Sequence, residues 1–307
     1  MGTILRLETG TAVPTLGQAC EAFLAGLANP NTARSYATAL GALADWLGAH
    51  RPLSVLEGER VPDRAASWFT ATWGPAAPAT FNARLNALSA AANFWREQGW
   101  LSGDPLVRIR RRARTPDRTR ALDRAEVERL LTAEHLGLRE RTLWRLLYES
   151  AARAAEVLSL DADELDLANR RARVRRKGGA ADVITWRTAT ARLLPRLLAG
   201  RTSGPVFLTG RRARVELAPV DLDVATGRAR LSYRRAAELF ARASGGASLH
   251  QLRHSALTHA AEDGANTAVL LSYSGHASVA SLARYARVSA EALAAWQSQR
   301  DPATRKR

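Results

Sequence analysis

Cysteine is almost missing from this sequence, since Cys20 is the only one in 307 residues. A disulfide within the chain is therefore excluded, and the composition suits a reducing cytoplasm. The sequence also lacks a segment suited to span a membrane, because the charge-free stretch 65–83 contains prolines and the charge-free stretch 264–283 is rich in serine. The N-terminus lacks a basic region followed by a long apolar run, so no secretory signal peptide is expected.

Lysine is scarce and arginine is abundant. Of 45 basic residues only Lys177 and Lys306 are lysines, and the net charge is +16. The charge is uneven, because residues 1–107 carry 7 arginines and 8 acids, whereas the rest of the chain carries 38 basic side chains and 21 acids. Excess positive charge concentrates polyanions around a protein, so nucleic acid or an anionic membrane is the expected partner. A solvated arginine-rich surface without a partner is the alternative interpretation.

Residues 1–107 have the pattern of a small helical domain. Apolar side chains recur every three or four residues, which predicts amphipathic helices. The pattern predicts a first helix ended by Asn29-Pro30, a second capped by Asn31 or Thr32, a third beginning near Pro62-Asp63 that buries Trp68 and Phe69, and a fourth from about Pro78 to Gln98 with Gly99 as its stop.

A basic segment, residues 108–120, follows this domain. It contains almost no apolar side chains and cannot bury enough surface to fold alone, so we interpret it as an exposed linker. A strap across a phosphate backbone is the functional interpretation, and a flexible tether is the alternative. Its arginines are Arg108, Arg110, Arg111, Arg112, Arg114, Arg118 and Arg120.

Residues 121–307 predict a second domain that is mostly helical. Short β-like pieces interrupt the helical pattern at 165–167, 171–174 and 183–186, separated by Asn169 and by the glycines at 178–179. The predicted fold class is therefore mainly α, with a helical N-terminal bundle and an α-rich C-terminal domain that holds one small antiparallel sheet. No internal repeat is expected.

Residue types suited to phosphodiester chemistry lie near the C-terminus. His250 and Arg253 are followed by His276, 23 residues after Arg253, and by Tyr285 nine residues later. Tyrosine is a nucleophile that keeps the phosphodiester energy in a covalent bond. The planar arginine fork pairs with phosphate oxygens, and histidine exchanges protons near neutral pH. These four residues are what a protein needs to attack a phosphodiester without a metal.

Two further candidates lie upstream. Arg153 has Glu156 three residues later, a helical neighbour placed to orient its guanidinium, and Lys177 lies at a predicted tight turn among other cations. Crowding by cations lowers the pKa of a lysine and favours proton donation. Taken singly, Arg153 and Glu156 are typical of a helix-surface ion pair, Lys177 of a solvated turn, and Tyr285 of a half-buried helix residue.

The histidines allow a different interpretation, since His250 and His254 at i and i+4 are spaced like metal ligands. Gln251 and Leu252 follow His250 where a zinc protease has glutamate next, and no carboxylate cluster lies nearby in sequence. We therefore expect no metal and no cofactor, with His254 as a supporting residue beside the site. Tyr233, Tyr273 and His259 are interpreted as structural.

Together these motifs resemble the active site of the tyrosine recombinase (phage integrase) family. The resemblance covers about residues 12–298, and the sequence is similar to Xer recombinases in length and layout. It departs from the family at two positions: Ala152 stands where the family usually has glycine, and Ser274 stands where it has leucine. It implies that Arg153 and Arg253 clamp the phosphate, Lys177 protonates the leaving 5′ oxygen, His250 and His276 assist, and Tyr285 is the nucleophile. The N-terminal helices then resemble the core-binding domain of that family.

The resemblance implies a site-specific DNA recombinase in the cytoplasm, associated with the nucleoid, that acts through a 3′-phosphotyrosine without metal or ATP. It further implies a tetrameric synapse on double-stranded DNA that proceeds through a Holliday junction, with a partner recombinase as an added possibility. A C-terminal stretch, 291–299, is expected to pack into a neighbouring protomer, and packing on its own domain is the alternative. Two alternatives remain at this point: a topoisomerase IB-like relaxing enzyme, and an architectural DNA-binding protein that does not cleave.

Overall fold

The computed structural model describes residues 13–113, 121–176, 179–275, 279–282, 293–294 and 297–298. The chain forms two compact units, Met1–Pro116 and Asp117–Arg307. No helix within the described ranges is long and apolar enough to cross a membrane. The predicted fold class, mainly α with a small antiparallel sheet, is confirmed.

The described part of the N-terminal unit is a helical bundle around one apolar core. Its largest fully buried side chains include Trp95 and Phe69, and the indole N–H of Trp95 donates to the carbonyl oxygen of Ala19 at 2.9 Å. The helices are α1 (Leu16–Ala25), α2 (Pro30–Leu47), α3 (Val61–Trp73) and α4 (Pro78–Glu97), with a 3-10 helix at Leu53–Leu56.

Two predictions for this unit need correction. The residue that caps α2 is Asn29, whose side-chain oxygen accepts from the N–H groups of Asn31 at 2.9 Å and Thr32 at 3.4 Å. Pro30 takes the first helical position, where its fixed φ suits the helix and its missing N–H costs nothing, so the helix begins earlier than predicted. Trp68 is only partly buried, because it stacks face to face on Trp46 at 4.7 Å at the rim of the core.

The first part of the basic segment does not stand free of the bundle. Ile109 packs against the N-terminal core. Arg112 exchanges two hydrogen bonds with Asn82, at 2.8 and 2.9 Å, and its guanidinium lies 3.9 Å from the ring centroid of Phe81. The interpretation of this stretch as a fully exposed linker is therefore wrong for Ile109 and Arg112, because an apolar side chain and a cation–π contact hold it in place. Residues 114–120 lie outside the described residues.

The C-terminal unit has its own core, in which Trp144, Phe207 and Phe240 are fully buried. Its described helices are α5 (Arg124–Thr132), α6 (Leu138–Ser150), α7 (Ala154–Leu158), α8 (Thr188–Leu198), α9 (Tyr233–Ala243), α10 (Leu249–Glu262) and α11 (Thr267–Ser274), with short 3-10 helices at Ala162–Glu164, Pro219–Asp221 and Val279–Leu282.

The predicted sheet is present. Strands β1 (Leu165–Asp166), β2 (Arg171–Arg175) and β3 (Ala181–Thr185) pair antiparallel in that order. A second antiparallel sheet was missed: β4 (Leu208–Arg212), β5 (Leu222–Asp223) and β6 (Arg228–Arg230) pair in the order β4-β6-β5. These strands are short and rich in arginine, so the apolar alternation that signals a strand is absent from them.

The two sheets also show a short repeat that the sequence analysis overlooked. Residues 165–173 (LDLANRRAR) and 222–230 (LDVATGRAR) are identical at six of nine positions. Each copy follows a 3-10 helix and pairs in the same register, Leu165 with Ala172 and Leu222 with Ala229. The expectation of no internal repeat is therefore wrong for this nine-residue motif. The motif is too short to indicate a repeated domain.

Candidate active site

Arg153 lies at the junction between α6 and α7. Helix α6 ends at Ser150, and the next residue, Ala151, has a left-handed φ of +48°. Arg153 then caps α7 in extended conformation. This break places the arginine at the start of a new helix, with 36% of its side chain exposed. Exposure of that size leaves the guanidinium accessible to a bound phosphate.

Glu156 is the buried carboxylate of the site, with 5% of its side chain exposed. Its two oxygens accept from the backbone N–H of Arg153 at 2.9 Å, from Nη1 of Arg153 at 2.8 Å and from Nη1 of Arg176 at 2.7 Å. The predicted contact between Glu156 and Arg153 is therefore present. A carboxylate bonded on both oxygens is fixed in direction, and so is the guanidinium that it holds.

Arg176 is the residue that the sequence analysis missed. Along β2 the side chains alternate, so Ala172 and Val174 are buried, and Arg176 continues on the same face with 7% of its side chain exposed. Its Nε donates to Asp182 at 2.8 Å. Burial raises the pKa of Asp182, but hydrogen bonds from Arg176 and from the backbone bring that pKa below its usual range. The alternation along β2 was the one sequence signal that could have marked Arg176 as buried, but the many other arginines of the chain made it inconspicuous.

The same guanidinium packs against Gly275. A Cβ added to Gly275 would lie 2.3 Å from Cζ of Arg176, and the φ of Gly275 is +59°. Only glycine combines this left-handed turn with so close an approach. Because Arg176 packs against Gly275, it fixes the chain at the end of α11. Gly275 directly precedes His276 in the sequence.

Arg253 lies on α10 and is 3% exposed. Its guanidinium donates to the carbonyl oxygen of Ala151 and to that of Ser274, the latter at 2.6 Å. Ser248 caps this helix by accepting from the Gln251 N–H at 3.1 Å. The buried arginine thus joins the end of α6, two residues before Arg153, to the end of α11.

These contacts form a closed circuit, which we call the arginine ring. It runs from Arg153 through Glu156 to Arg176, across Gly275 and Ser274 to Arg253, and back through Ala151. Elements far apart in sequence meet in it. On the same helix as Arg253, His250 is exposed at the first turn and His254 is half-buried.

Three of the six candidate catalytic residues, Lys177, His276 and Tyr285, lie outside the described residues. The same holds for Arg114, Arg118 and Arg120 of the basic segment. Arg108, Arg110 and Arg111 are described and exposed.

The residues interpreted as structural behave as such where they are buried. The Tyr273 hydroxyl donates to the carbonyl oxygens of Tyr148 and Glu149 at 3.0 and 2.9 Å, and burial raises its pKa. His259 lies 2.7 Å from the Tyr148 hydroxyl, and burial lowers its pKa. Tyr233 begins α9 and is exposed. Among the described residues, no group of three or more His, Cys, Asp or Glu is arranged to hold a metal.

The described geometry defines a class: a helical protein in which a buried carboxylate fixes the guanidinium of Arg153, and Arg253 is joined to the same chain break through the Ala151 carbonyl, as fixed donors to a phosphodiester require. Comparisons with known proteins agree. A model of the phage integrase family matches residues 120–292. The tyrosine recombinase XerC of Mycobacterium tuberculosis (strain ATCC 25177 / H37Ra) is 32% identical over 253 residues, which is 77% of this chain and 82% of that protein.

XerC of Erythrobacter litoralis is 29% identical over 280 residues, covering 85% of this chain and 88% of that protein. Among solved structures, a Tn1549 transposon integrase in complex with circular intermediate DNA has a TM-score of 0.67 at 15% identity, covering 94% of this chain and 99% of that one. XerH bound to a palindromic difH substrate has a TM-score of 0.65 at 16% identity, covering 92% and 94%. Both structures share the fold of this chain.

The chain belongs to the phage integrase family. It is a site-specific tyrosine recombinase, an enzyme that cleaves and rejoins DNA strands.

Proposed function

We propose that Tyr285 is the nucleophile of this recombinase and that Arg153 and Arg253 hold the scissile phosphate. The arginine ring is the observation that supports this assignment. It connects the chain around Arg153 with Arg253 through the carbonyl oxygen of Ala151, and it fixes the Arg153 guanidinium on Glu156. Fixed donors lower the barrier because negative charge grows on the phosphate oxygens in the transition state, and removing one such donor costs about 3–4 kcal/mol.

The reaction then balances as follows. The phenol oxygen of Tyr285 attacks phosphorus, a 3′-phosphotyrosine bond forms, and the bond from phosphorus to the 5′ oxygen breaks. Lys177 gives a proton to the leaving 5′ oxygen, and His250 accepts the phenol proton, with His276 as a donor to the phosphate. Attack by a 5′ hydroxyl on the phosphotyrosine reverses these steps and rejoins a strand. No external energy source is consumed, because the covalent intermediate conserves the bond.

We further propose that four protomers act on two paired DNA sites and exchange strands through a Holliday junction. The solved structures with the same fold include an integrase and a recombinase that are each bound to DNA. The basic segment at 108–120, apart from the docked Arg112, serves as the strap on the phosphate backbone, and stretch 291–299 packs into the next protomer. In this proposal the protein acts in the cytoplasm on DNA of the nucleoid, and a second, partner recombinase can take part in the synapse.

The chemistry is tested with a suicide substrate. A duplex chosen from a random pool by binding to this protein is nicked near the cleavage point, so that a cut strand diffuses away and the adduct accumulates. We expect a covalent protein–DNA adduct whose labelled peptide contains Tyr285, and none with Tyr285→Phe although DNA binding persists. Tyr233→Phe is the matched control, because it removes an exposed hydroxyl and keeps normal adduct yield.

Other outcomes point elsewhere. Normal adduct yield from Tyr285→Phe contradicts the nucleophile assignment. Tight binding without an adduct favours an architectural role or the need for a partner recombinase. Relaxation of supercoiled plasmid by the wild type, without exchange between two sites, favours the topoisomerase-like reaction.

A further inference from the structure

Arg176 is not one of the six predicted catalytic residues. The side chain is nine-tenths buried, yet it carries a full charge, and burying a charge is costly unless partners compensate for it. It has two carboxylate partners, Glu156 at 2.7 Å and Asp182 at 2.8 Å. A buried arginine kept at this cost calls for an explanation beyond stability, since buried ion pairs stabilise folds weakly.

Its position suggests the explanation. Glu156 is shared, because the Oε2 atom that accepts from Arg176 also accepts from the Arg153 N–H, while Oε1 accepts from the Arg153 guanidinium. The direction of the Arg153 side chain therefore depends on a carboxylate whose other oxygen is held by Arg176. Without Arg176, that oxygen keeps only the backbone N–H as partner.

On its other side, Arg176 packs against Gly275, next to the Ser274 carbonyl to which Arg253 donates at 2.6 Å. Within the arginine ring, Arg176 therefore links Glu156, which holds Arg153, to the Ser274–Gly275 backbone, which accepts from Arg253. Its backbone also closes the β2–β3 turn, donating to the Ala180 carbonyl at 2.8 Å and accepting from the Gly179 N–H at 3.0 Å. It is therefore held at a fixed place by main chain and side chain alike.

We propose that Arg176 is a positioning residue that sets the spacing and direction of the two phosphate-clamping guanidiniums, Arg153 and Arg253. This inference rests on the proposed function of those two residues. We assign Arg176 no direct contact with the DNA, because the two carboxylates of Glu156 and Asp182 already neutralise its charge. A displacement of reacting groups by about 1 Å costs up to about 100-fold in rate, so loss of Arg176 is expected to slow cleavage by about 10- to 100-fold.

The test compares two DNA substrates at saturating protein in single turnover. One carries the natural phosphodiester. The other carries a methylphosphonate at the scissile position, which lacks one negatively charged oxygen and so needs the clamp less. Arg176→Ala and Arg153→Ala are both expected to be slow on the phosphodiester and to recover most of the deficit, relative to wild type, on the methylphosphonate. Lys177→Ala, whose defect concerns the leaving oxygen, is expected to recover nothing.

Two further variants separate positioning from general damage. Arg175→Ala removes a charge from the adjacent, exposed position of the same strand and is expected to keep the saturating cleavage rate. Arg176→Lys retains one charge that reaches Glu156 but not both carboxylates, and is expected to fall between wild type and Arg176→Ala. If Arg176→Ala does not fold, Arg176→Lys is compared on the same two substrates and the same criterion applies.

The outcomes are distinct. An unchanged rate for Arg176→Ala on the phosphodiester overturns the proposal, and so does a defect of equal size on both substrates, which means that the residue supports the fold alone. Rescue only by a 5′-thiol leaving group also overturns it, because the defect then acts through Lys177. A wild type that forms no adduct at all contradicts the proposed function instead.

Discussion

At the scale of single residues, the site depends on specific side-chain contacts. The type of a residue does not show which contacts its side chain makes. Arg153, Arg253 and Glu156 could be predicted from sequence because their spacing follows motifs. That spacing can be read along the chain without knowing which atoms the side chains contact. Arg176 was not found, because one arginine among many carries no signal by type. Only its register on the buried face of β2, after Ala172 and Val174, distinguishes it.

A substitution at Gly275 measures how rigidly Arg176 is held. Gly275→Ala forces a left-handed residue, at roughly 1–2 kcal/mol, and also places a Cβ 2.3 Å from Cζ of Arg176. The guanidinium cannot swing aside without breaking its bonds to Glu156 and Asp182. We therefore expect Gly275→Ala to lower the free energy of unfolding by more than the backbone cost, as measured by urea denaturation.

The matched control is Gly245→Ala. Gly245 has a similar φ of +69° and nothing within 4 Å of an added Cβ, so it reports the backbone cost alone. Adding Arg176→Ala to Gly275→Ala should remove the excess, because the obstructing atoms are gone. Equal costs for the two glycine substitutions would mean that Arg176 moves aside freely and does not brace the end of α11.

At the scale of elements, what the sequence predicted follows from periodicity. The first sheet was predicted because arginine alternates with alanine and valine along 171–175, and the structure shows that alternation as exposed and buried side chains. The helices were predicted because their apolar stripes repeat. The second sheet was not predicted, since β5 and β6 have two and three residues and no apolar face of their own. It is held instead by specific contacts, above all those of Arg230.

Arg230 joins the two copies of the short repeat. Its guanidinium donates to Asp221, at the entry of the second sheet, and to Asp161, at the entry of the first, both at 2.8 Å, and to the Ser159 carbonyl at 2.9 Å. Because the two carboxylates are partly exposed, solvent screens these pairs. We expect Arg230→Ala to lower the free energy of unfolding by about 2–3 kcal/mol, measured by urea denaturation.

Arg228→Ala is the matched control for this prediction, since Arg228 lies on the same short strand with an exposed side chain. Its cost is expected to stay within about 0.5 kcal/mol, as for most surface substitutions. A similar loss for both variants would show that the strand tolerates no truncation and that Arg230 has no special part in joining the sheets.

At the scale of the whole molecule, the surplus of positive charge has a measurable consequence in DNA binding. Each phosphate neutralised by a basic side chain releases counterions, so the logarithm of the binding constant falls against the logarithm of salt with a slope of about −0.9 per contact. Arg110 and Arg111 are exposed in the basic segment, whereas Arg112 is docked on Phe81 and Asn82. The same segment therefore contains arginines with different expected roles.

Replacing both Arg110 and Arg111 with alanine is expected to reduce the steepness of that slope by about 2. Arg112→Ala is the contrast: it should change the slope little, because its guanidinium is engaged with the bundle, and should instead lower the unfolding free energy of the protein. Fluorescence anisotropy with one labelled duplex across a series of salt concentrations measures all three proteins. An unchanged slope for the double variant would contradict the strap on the phosphate backbone, and a reduced slope for Arg112→Ala would mean that the docked arginine leaves the bundle to bind DNA.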